Sequence, residues 1–182
     1  MIPRNIDTSL RAPELRVAQW IDAQGRARAP LTLAGLGDGF KVIYCFQHWC
    51  AGCHSHGFPA LAKLVDALSG AGFGFAVVQT VFEGAEANTF ERLRETQLRY
   101  GLALPFGHDH PAANHCAAVP TVMQDYGTGG TPWFIVISPA GEVVFSDFQL
   151  DADRLIADFA GDMGLIGVMG VMGKGYSQLP SQ

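Results

Sequence analysis

Runs of apolar residues alternate with amphipathic stretches along most of the chain, and this pattern predicts strands and helices in turn. Strands or short extended segments are predicted at residues 12–21, 31–33, 41–46, 73–81, 104–106, 133–137 and 143–146. Helices are predicted from about Cys50 to Leu68, from Asn88 to about Tyr100, from Pro120 to the residue before Gly127, and from Asp151 or Asp153 to about Phe159. A loop is predicted at residues 108–118 and a hairpin turn at 139–142. This order indicates an α/β fold, in which a mixed central β-sheet is flanked by helices on both faces.

The first predicted helix carries the clearest apolar face. Apolar residues recur along it at spacings of three and four: Phe58, Leu61, Leu64, Val65 and Leu68. Pro59 lies inside this pattern, where we expect it to bend the helix or to separate a first turn from the rest. Gly70 and Gly72 are expected to end the helix.

The composition is that of one folded domain. The chain has 182 residues, of which 48% are apolar and 16% charged, and this balance is typical of a globular protein. We assign residues 1–162 to that domain. Residues 163–182 are rich in glycine and methionine and show little periodicity, which favours a flexible or partner-packed tail.

Charge and hydropathy exclude some partners. The net charge of −5 and the scattered basic residues give no reason to expect nucleic acid or an anionic membrane as a partner. No apolar stretch reaches the roughly 18 residues that a membrane span needs. The first seven residues form no apolar core of a secretory signal, so we expect a cytoplasmic protein, or a periplasmic one only if the chain is a trimmed mature form.

Two of the four cysteines stand where a strand meets a helix. Cys50 opens the predicted helix and Cys53 follows one turn later on the same face, within reach of a disulfide. The first turn of a helix favours the reactive thiolate, by about 0.3–1 kcal/mol from the dipole alone. We therefore expect Cys50 to attack as nucleophile and Cys53, deeper in the helix, to resolve the mixed disulfide.

Three histidines flank the pair. His54 lies four residues after Cys50, so on a regular helix it shares that face and could stabilise the thiolate or shuttle a proton. A solvated His54 is the alternative. His48 and His56 are expected to be solvated, with His56 and Trp49 as secondary candidates for tuning the thiol.

Several motifs together resemble one family. Trp49-Cys50-Ala51-Gly52-Cys53 after an apolar strand resembles the Trp-Cys-x-x-Cys site of thioredoxin-fold oxidoreductases. The segment 130–133 (Gly-Thr-Pro-Trp) is similar to their cis-proline loop, and 138–144 to the hairpin that follows it. Residues 12–15 and 31–33 resemble the extra N-terminal β element of the redoxin branch, which includes TlpA-like proteins and peroxiredoxins.

The resemblance implies a thioredoxin-like fold with an N-terminal β-hairpin extension, and a thiol–disulfide oxidoreductase that needs no cofactor. Pro132 would be a cis-proline packed against the disulfide, and the backbone of Thr131 would pair with an extended substrate. Trp49 and Trp133 are further candidates for substrate contact. The partners implied are protein or small-molecule disulfides and an upstream electron donor.

The chain also departs from the family pattern. Relatives often carry an acidic residue near the cysteine pair, either in the preceding strand or early in the helix. Here the strand offers Tyr44 and Cys45, and the helix start offers Ser55, His56 and Gly57. A histidine, with His54 first, is our candidate for the missing proton-handling group.

Other functions stay open at this point. A peroxiredoxin-like peroxidase is the nearest alternative, although Gln47 and Ile43 stand where peroxiredoxins carry threonine and proline. Zinc or copper could be held by Cys50, Cys53 and a histidine. Residues 50–54 also fit the Cys-x-x-Cys-His pattern of c-type haem attachment, the least favoured reading.

The remaining cysteines have weaker roles. Cys45 lies in the middle of a predicted strand and is expected to be a core residue. Cys116, beside His110 and His115, could be a spare thiol or a metal ligand.

Overall fold

A seven-stranded mixed sheet forms the centre of the computed structural model, which describes residues 11–111 and 119–160. In chain order the strands are β1 Gln19–Ile21, β2 Ala27–Arg28, β3 Lys41–Phe46, β4 Gly74–Thr80, β5 Phe106–Asp109, β6 Trp133–Ile137 and β7 Val143–Asp147. They lie side by side in the order β2-β1-β5-β4-β3-β6-β7. Strands β5, β4 and β3 are parallel, and the outer strands are antiparallel to their neighbours.

Helices cover both faces of this sheet. The bounds are α1 Phe58–Leu68, α2 Arg92–Arg99, α3 Thr121–Tyr126 and α4 at 152–160, with 3-10 turns at Ala34–Leu36 and Ser69–Ala71. Side chains from α1, α2 and α4 pack on one face in a single apolar cluster. Helix α3 and the segment before β1 cover the other face. The predicted architecture is therefore confirmed.

Strand β3 explains why the cysteine pair stands at the centre of the molecule. All six of its residues are buried, because the strand lies between β4 and β6 and is covered on both faces. Its alternate side chains enter the two clusters, with Tyr44 on the α1 face and Cys45 on the α3 face. The chain leaves β3 directly into the turn that precedes Cys50.

The helix after this turn is not regular. It begins at residue 51, passes through a π-helical turn at Cys53–Gly57, and continues as α1 with Pro59 in its first turn. Residues 51 to 68 are helical without a break, so Pro59 does not separate a first turn from the rest. The irregularity next to it is the π-helical turn, which ends at Gly57. Gly72 ends the helical region in a left-handed conformation.

The N-terminal hairpin is present, but its strands are shorter and shifted. Of the strand predicted at 12–21, only Gln19–Ile21 forms a strand of the sheet, while Leu15 and Val17 are buried on the α3 face. Ala12 pairs separately, with its N–H donating to the Gly141 carbonyl at 2.8 Å. The returning strand is β2, not residues 31–33. Leu31 is a core residue there, and the Leu33 N–H donates to the Glu14 carboxylate at 2.7 Å.

Two further predictions from the sequence were wrong. Asn88 does not cap α2, which begins at Arg92, because the Asn88 side chain is buried and bonded elsewhere. His108 was predicted to lie in a loop but belongs to β5, where parallel pairing with β4 satisfies the backbone despite the polar sequence. The last helix, by contrast, begins as expected: an Asp151 carboxylate oxygen accepts the Arg154 N–H at 3.0 Å.

In the part of the chain that the structure describes, no helix has the length and apolar character needed to cross a membrane. The predicted boundary between domain and tail, after residue 162, lies outside the described residues, as does Cys116.

Candidate active site

Cys50 and Cys53 form a disulfide at the carboxyl end of β3. The Cys53 N–H points at the Cys50 sulfur, with 3.2 Å between nitrogen and sulfur, so Cys50 takes the place of an N-capping side chain. Cys50 is 9% exposed, whereas Cys53 is completely buried. Cys50 is therefore the more exposed residue of the pair.

Aromatic side chains pack around Cys53. Tyr44 is one of them and takes the place of the acidic residue that relatives often carry. The Tyr44 hydroxyl donates to the Cys53 carbonyl at 3.0 Å, and the same carbonyl accepts the Phe58 N–H across the π-helical turn. A Cβ at residue 57 would lie 2.0 Å from the Tyr44 oxygen, which explains the glycine there. Burial raises the pKa of Tyr44 well above its ordinary value, so this group stays a neutral donor.

Pro132 covers the pair from the opposite direction. The Thr131–Pro132 peptide bond is cis, the isomer that the family resemblance implies. The Cys50 sulfur lies 3.7 Å from the Thr131 carbonyl oxygen, and Gly52 faces the Pro132 ring. The structure thus brings Cys50, Cys53, Thr131 and Pro132 together.

An open groove of about 660 Å³ starts at Pro132. Its apolar lining comes from Pro132, Phe134, Phe148 and Leu150, which we call the groove side of the pair. Phe148 is 42% exposed and rests against the Trp133 ring at 4.4 Å between centroids. Sequence reasoning missed Phe148, although an aromatic residue inside the polar run 146–149 was a detectable signal.

The two tryptophans that were predicted to contact substrate differ in position. Trp49 is 51% exposed and lies over Gly84, where a Cβ would come within 2.9 Å of the indole nitrogen. Trp133 is partly buried, and its N–H donates to the Ser146 hydroxyl at 2.8 Å. Trp133 therefore supports Phe148 from below, while Trp49 is free to contact a partner.

His54 is not bonded to either cysteine sulfur in the described part of the chain. Its Nε2 lies 2.6 Å from the His48 carbonyl oxygen, and its Nδ1 lies 2.6 Å from the Tyr100 hydroxyl. The ring stacks on Phe58 and Tyr100. Its placement thus gives no direct route for a proton between His54 and Cys50.

His48 and His56 have different surroundings. The His48 N–H donates to the Asn88 side-chain oxygen at 2.6 Å, and its ring Nδ1 lies 3.3 Å from the Thr96 hydroxyl. Burial is the main cause that lowers the pKa of His48. His56 is exposed at the edge of the groove, with Nδ1 at 2.7 Å from the Ser55 hydroxyl.

Asn88 is the second functional candidate that sequence reasoning missed. It is completely buried, and its amide nitrogen donates to the carbonyls of Glu83 and Gly84 at 3.2 and 2.9 Å. We call His48, His54, Asn88 and Tyr100 the polar side of the pair.

A solved structure of a thioredoxin-like superfamily protein is 32% identical to this chain. The match covers 84% of this chain and 96% of that protein, with a TM-score of 0.72. The chain belongs to the thioredoxin-like superfamily. No protein-family model and no curated protein matches it.

Other solved structures that resemble this thioredoxin-like protein include disulfide-exchange proteins. A thiol-disulfide isomerase from Corynebacterium glutamicum is 25% identical over 83% of this chain and 95% of its own, with a TM-score of 0.67. The thioredoxin domain of a thiol-disulfide oxidoreductase from Bacteroides vulgatus shares the fold at 17% identity, with coverages of 85% and 99% and a TM-score of 0.60. With the bonded Cys50–Cys53 pair, the predicted class is confirmed: the chain is a thiol–disulfide oxidoreductase.

In this thioredoxin-like protein, the surroundings of Cys45 and His54 argue against a further reactive thiol and against a metal site at the cysteine pair. Cys45 is a free, completely buried thiol, and burial raises its pKa far above the ordinary value. Among residues 11–111 and 119–160, no three or more His, Cys, Asp or Glu side chains are grouped to hold a metal ion. His54, which would have been the third ligand beside the cysteines, uses both ring nitrogens elsewhere.

Proposed function

We propose that the protein exchanges disulfides with extended polypeptide substrates, with Cys50 as attacking nucleophile and Cys53 as resolving thiol. The observation that carries this proposal is the difference in exposure between the two residues: Cys50 keeps 9% of its surface exposed beside the Thr131–Pro132 peptide, and Cys53 has none exposed.

The reductive direction illustrates the chemistry. The Cys50 thiolate attacks one sulfur of a substrate disulfide, so the substrate S–S bond breaks and its second sulfur leaves as a thiolate that takes up a proton. Cys53, having lost its proton, then attacks the Cys50 sulfur and releases the first substrate sulfur as a thiol. The substrate gains two electrons and two protons, and the protein is left with the Cys50–Cys53 disulfide.

The surroundings of Cys50 suit its part in this cycle. The Cys53 N–H directed at the Cys50 sulfur stabilises negative charge there, and the helix start adds a favourable dipole. Cys53 packs in the same apolar cluster as Tyr44, whose hydroxyl already donates to the Cys53 carbonyl. Because Cys53 is completely buried, it does not compete as first nucleophile in this proposal.

Thr131, Pro132 and the groove side supply the substrate contacts in this proposal. Proline lacks an N–H, so an extended substrate would pair with the Thr131 backbone, next to Cys50. Side chains of the substrate would rest against Phe148 and Leu150. Trp49 would bound the substrate on the opposite side of the disulfide.

Turnover of a protein disulfide tests the proposal. Reduction of insulin by dithiothreitol should be accelerated by the wild-type protein, and Cys50→Ser should abolish the acceleration. Cys45→Ala is the matched control, because it removes a cysteine that is not part of the pair. Full activity in Cys50→Ser would overturn the assignment.

The upstream partner and the compartment are also proposals. A protein that ends each cycle as a disulfide needs a dithiol electron donor, so we propose such a donor. We also propose a cytoplasmic location. Four cysteines, two of them in the reactive pair, are too few for a disulfide-stapled extracellular scaffold of this length. Cell fractionation with an antibody against the protein would check the location.

A further inference from the structure

The backbone of His48, two residues before Cys50, is held at both its N–H and its carbonyl. The His48 N–H donates to the Asn88 side-chain oxygen, and the His48 carbonyl lies against His54 Nε2, each at 2.6 Å. The next hydrogen bond along the chain runs from the Cys50 N–H to the Gln47 carbonyl at 3.1 Å. His48 is thus the fixed point of the turn that delivers Cys50.

The chemistry of the contact assigns the proton on His54. A carbonyl oxygen only accepts, so Nε2 carries the hydrogen and donates to His48. In the neutral ring Nδ1 then accepts from the Tyr100 hydroxyl. Protonation of the ring would leave the Nε2–H, and hence the bond to His48, in place.

Packing holds the His54 ring in this orientation. It stacks on Phe58 with 5.6 Å between ring centroids and on Tyr100 with 5.8 Å. Phe58 and Tyr100 in turn stack on each other at 4.1 Å. The donor to His48 therefore comes from a ring fixed by α1 and by the end of α2.

The other end of this arrangement is equally well anchored. Besides the His48 N–H, the Asn88 oxygen lies 3.3 Å from the Gln79 amide nitrogen. The Asn88 amide nitrogen donates to the carbonyls of Glu83 and Gly84, and Gly84 lies under the exposed Trp49 ring. One buried side chain thus connects the turn before Cys50 with the loop beneath Trp49.

We propose that His54 and Asn88 are positioning residues that clamp the His48 peptide and so fix the Cys50 sulfur opposite Thr131 and the groove. Neither side chain contacts the sulfur. The inference deepens the proposed function and rests on it. It replaces the expectation of a proton shuttle at His54 with a role through the backbone.

Two substitutions at one position separate the roles. His54→Phe keeps the stacked ring and removes both hydrogen bonds, whereas His54→Gln offers an amide N–H at a similar reach. We expect His54→Phe to lower kcat/KM for insulin reduction by about 10- to 100-fold, since small misplacements of a reacting group have effects of that order. His54→Gln should recover most of this loss, and His110→Phe, an exposed histidine outside the clamp, should change little.

The pH profile and amide exchange provide readouts that activity alone does not. A clamp predicts that the pH profile of kcat/KM keeps its shape in both His54 variants. It also predicts faster hydrogen exchange of the Cys50 amide in His54→Phe, restored in His54→Gln. Wild-type rate and wild-type exchange in His54→Phe would overturn the clamp, and so would loss of an ionisation in both variants.

Failure of the clamp and failure of the proposed function give different results. If wild-type protein reduces no disulfide, the proposed function fails, but exchange at the Cys50 amide still decides whether His54 holds the turn. If wild-type protein is active and the variants behave like it, only the clamp fails.

Discussion

The two sides of the Cys50–Cys53 pair differ in the polarity and in the packing of their side chains. On the polar side, His48, His54, Asn88 and Tyr100 bond to one another or to backbone groups at 2.6–3.2 Å. On the groove side, apolar side chains leave an open space of about 660 Å³. In our proposal, the polar side fixes Cys50 and the groove side stays open for substrate.

This contrast predicts that substrate affinity and the rate of attack by Cys50 depend on different residues. Changes on the groove side should alter how tightly substrate is held, because in the described part of the chain none of its four side chains is hydrogen-bonded to Cys50. Changes on the polar side should alter the rate of attack or the stability of the fold.

For substrate binding, the larger effect is expected on the groove side. Phe148→Ala removes the exposed aromatic wall, so KM for a disulfide-containing peptide should rise about 10-fold while kcat stays within a factor of two, the usual scale for an exposed aromatic contact. Steady-state kinetics with the peptide and with the small disulfide DTNB would show it, since DTNB does not fill the groove.

Phe82→Ala provides the matched control for Phe148→Ala. Phe82 is also an exposed phenylalanine, but it does not line the groove. An equal rise in KM for both variants, or a loss of kcat in Phe148→Ala, would place the effect elsewhere than in the groove.

The smaller effect is a loss of stability on mild acidification, which arises on the polar side. Burial is the main cause that lowers the pKa values of His48 and His108 from the ordinary value of 6.5. The unfolded chain then binds more protons than the folded one as pH falls below about 6.5, so the free energy of unfolding is highest above that pH and declines below it.

Urea unfolding between pH 7.5 and 5.5 measures this decline, and the window stays above the range in which carboxylates titrate. His108→Gln, which can keep a donor toward the Asn88 carbonyl at 2.8 Å, should flatten the slope. A slope that is unchanged in this variant, or stability that rises on acidification, contradicts the assignment.

The sequence predicted those parts of the fold and the site that are encoded by neighbouring residues. Strands β3 and β6 and the β6–β7 hairpin matched their predicted positions, because a fully buried strand or a tight turn is written in consecutive residues. Cys50 and Cys53 were found for the same reason. Their spacing and their place after a strand are local features.

The polar side could not be found in this way. Asn88 and His48 lie 40 positions apart in the sequence, and no sequence pattern near either residue predicts their hydrogen bond. His54 was placed on the face of Cys50 by assuming regular helical spacing. The His54 N–H does donate to the Cys50 carbonyl at 3.3 Å, as that spacing predicts. The ring, however, is directed to the Tyr100 hydroxyl, 46 positions away, and to the His48 carbonyl.

In the proposed mechanism the two cysteines act in a fixed order: Cys50 attacks the substrate disulfide and Cys53 resolves the mixed disulfide. The most direct measurement incubates reduced Cys53→Ser protein with a peptide disulfide and maps the resulting mixed disulfide by mass spectrometry. The account predicts a stable adduct of peptide on Cys50, because no Cys53 thiol is present to release it. An adduct on Cys45 or Cys116 with Cys50 unmodified, or a stable adduct on Cys53 in the matching Cys50→Ser variant alone, would contradict it.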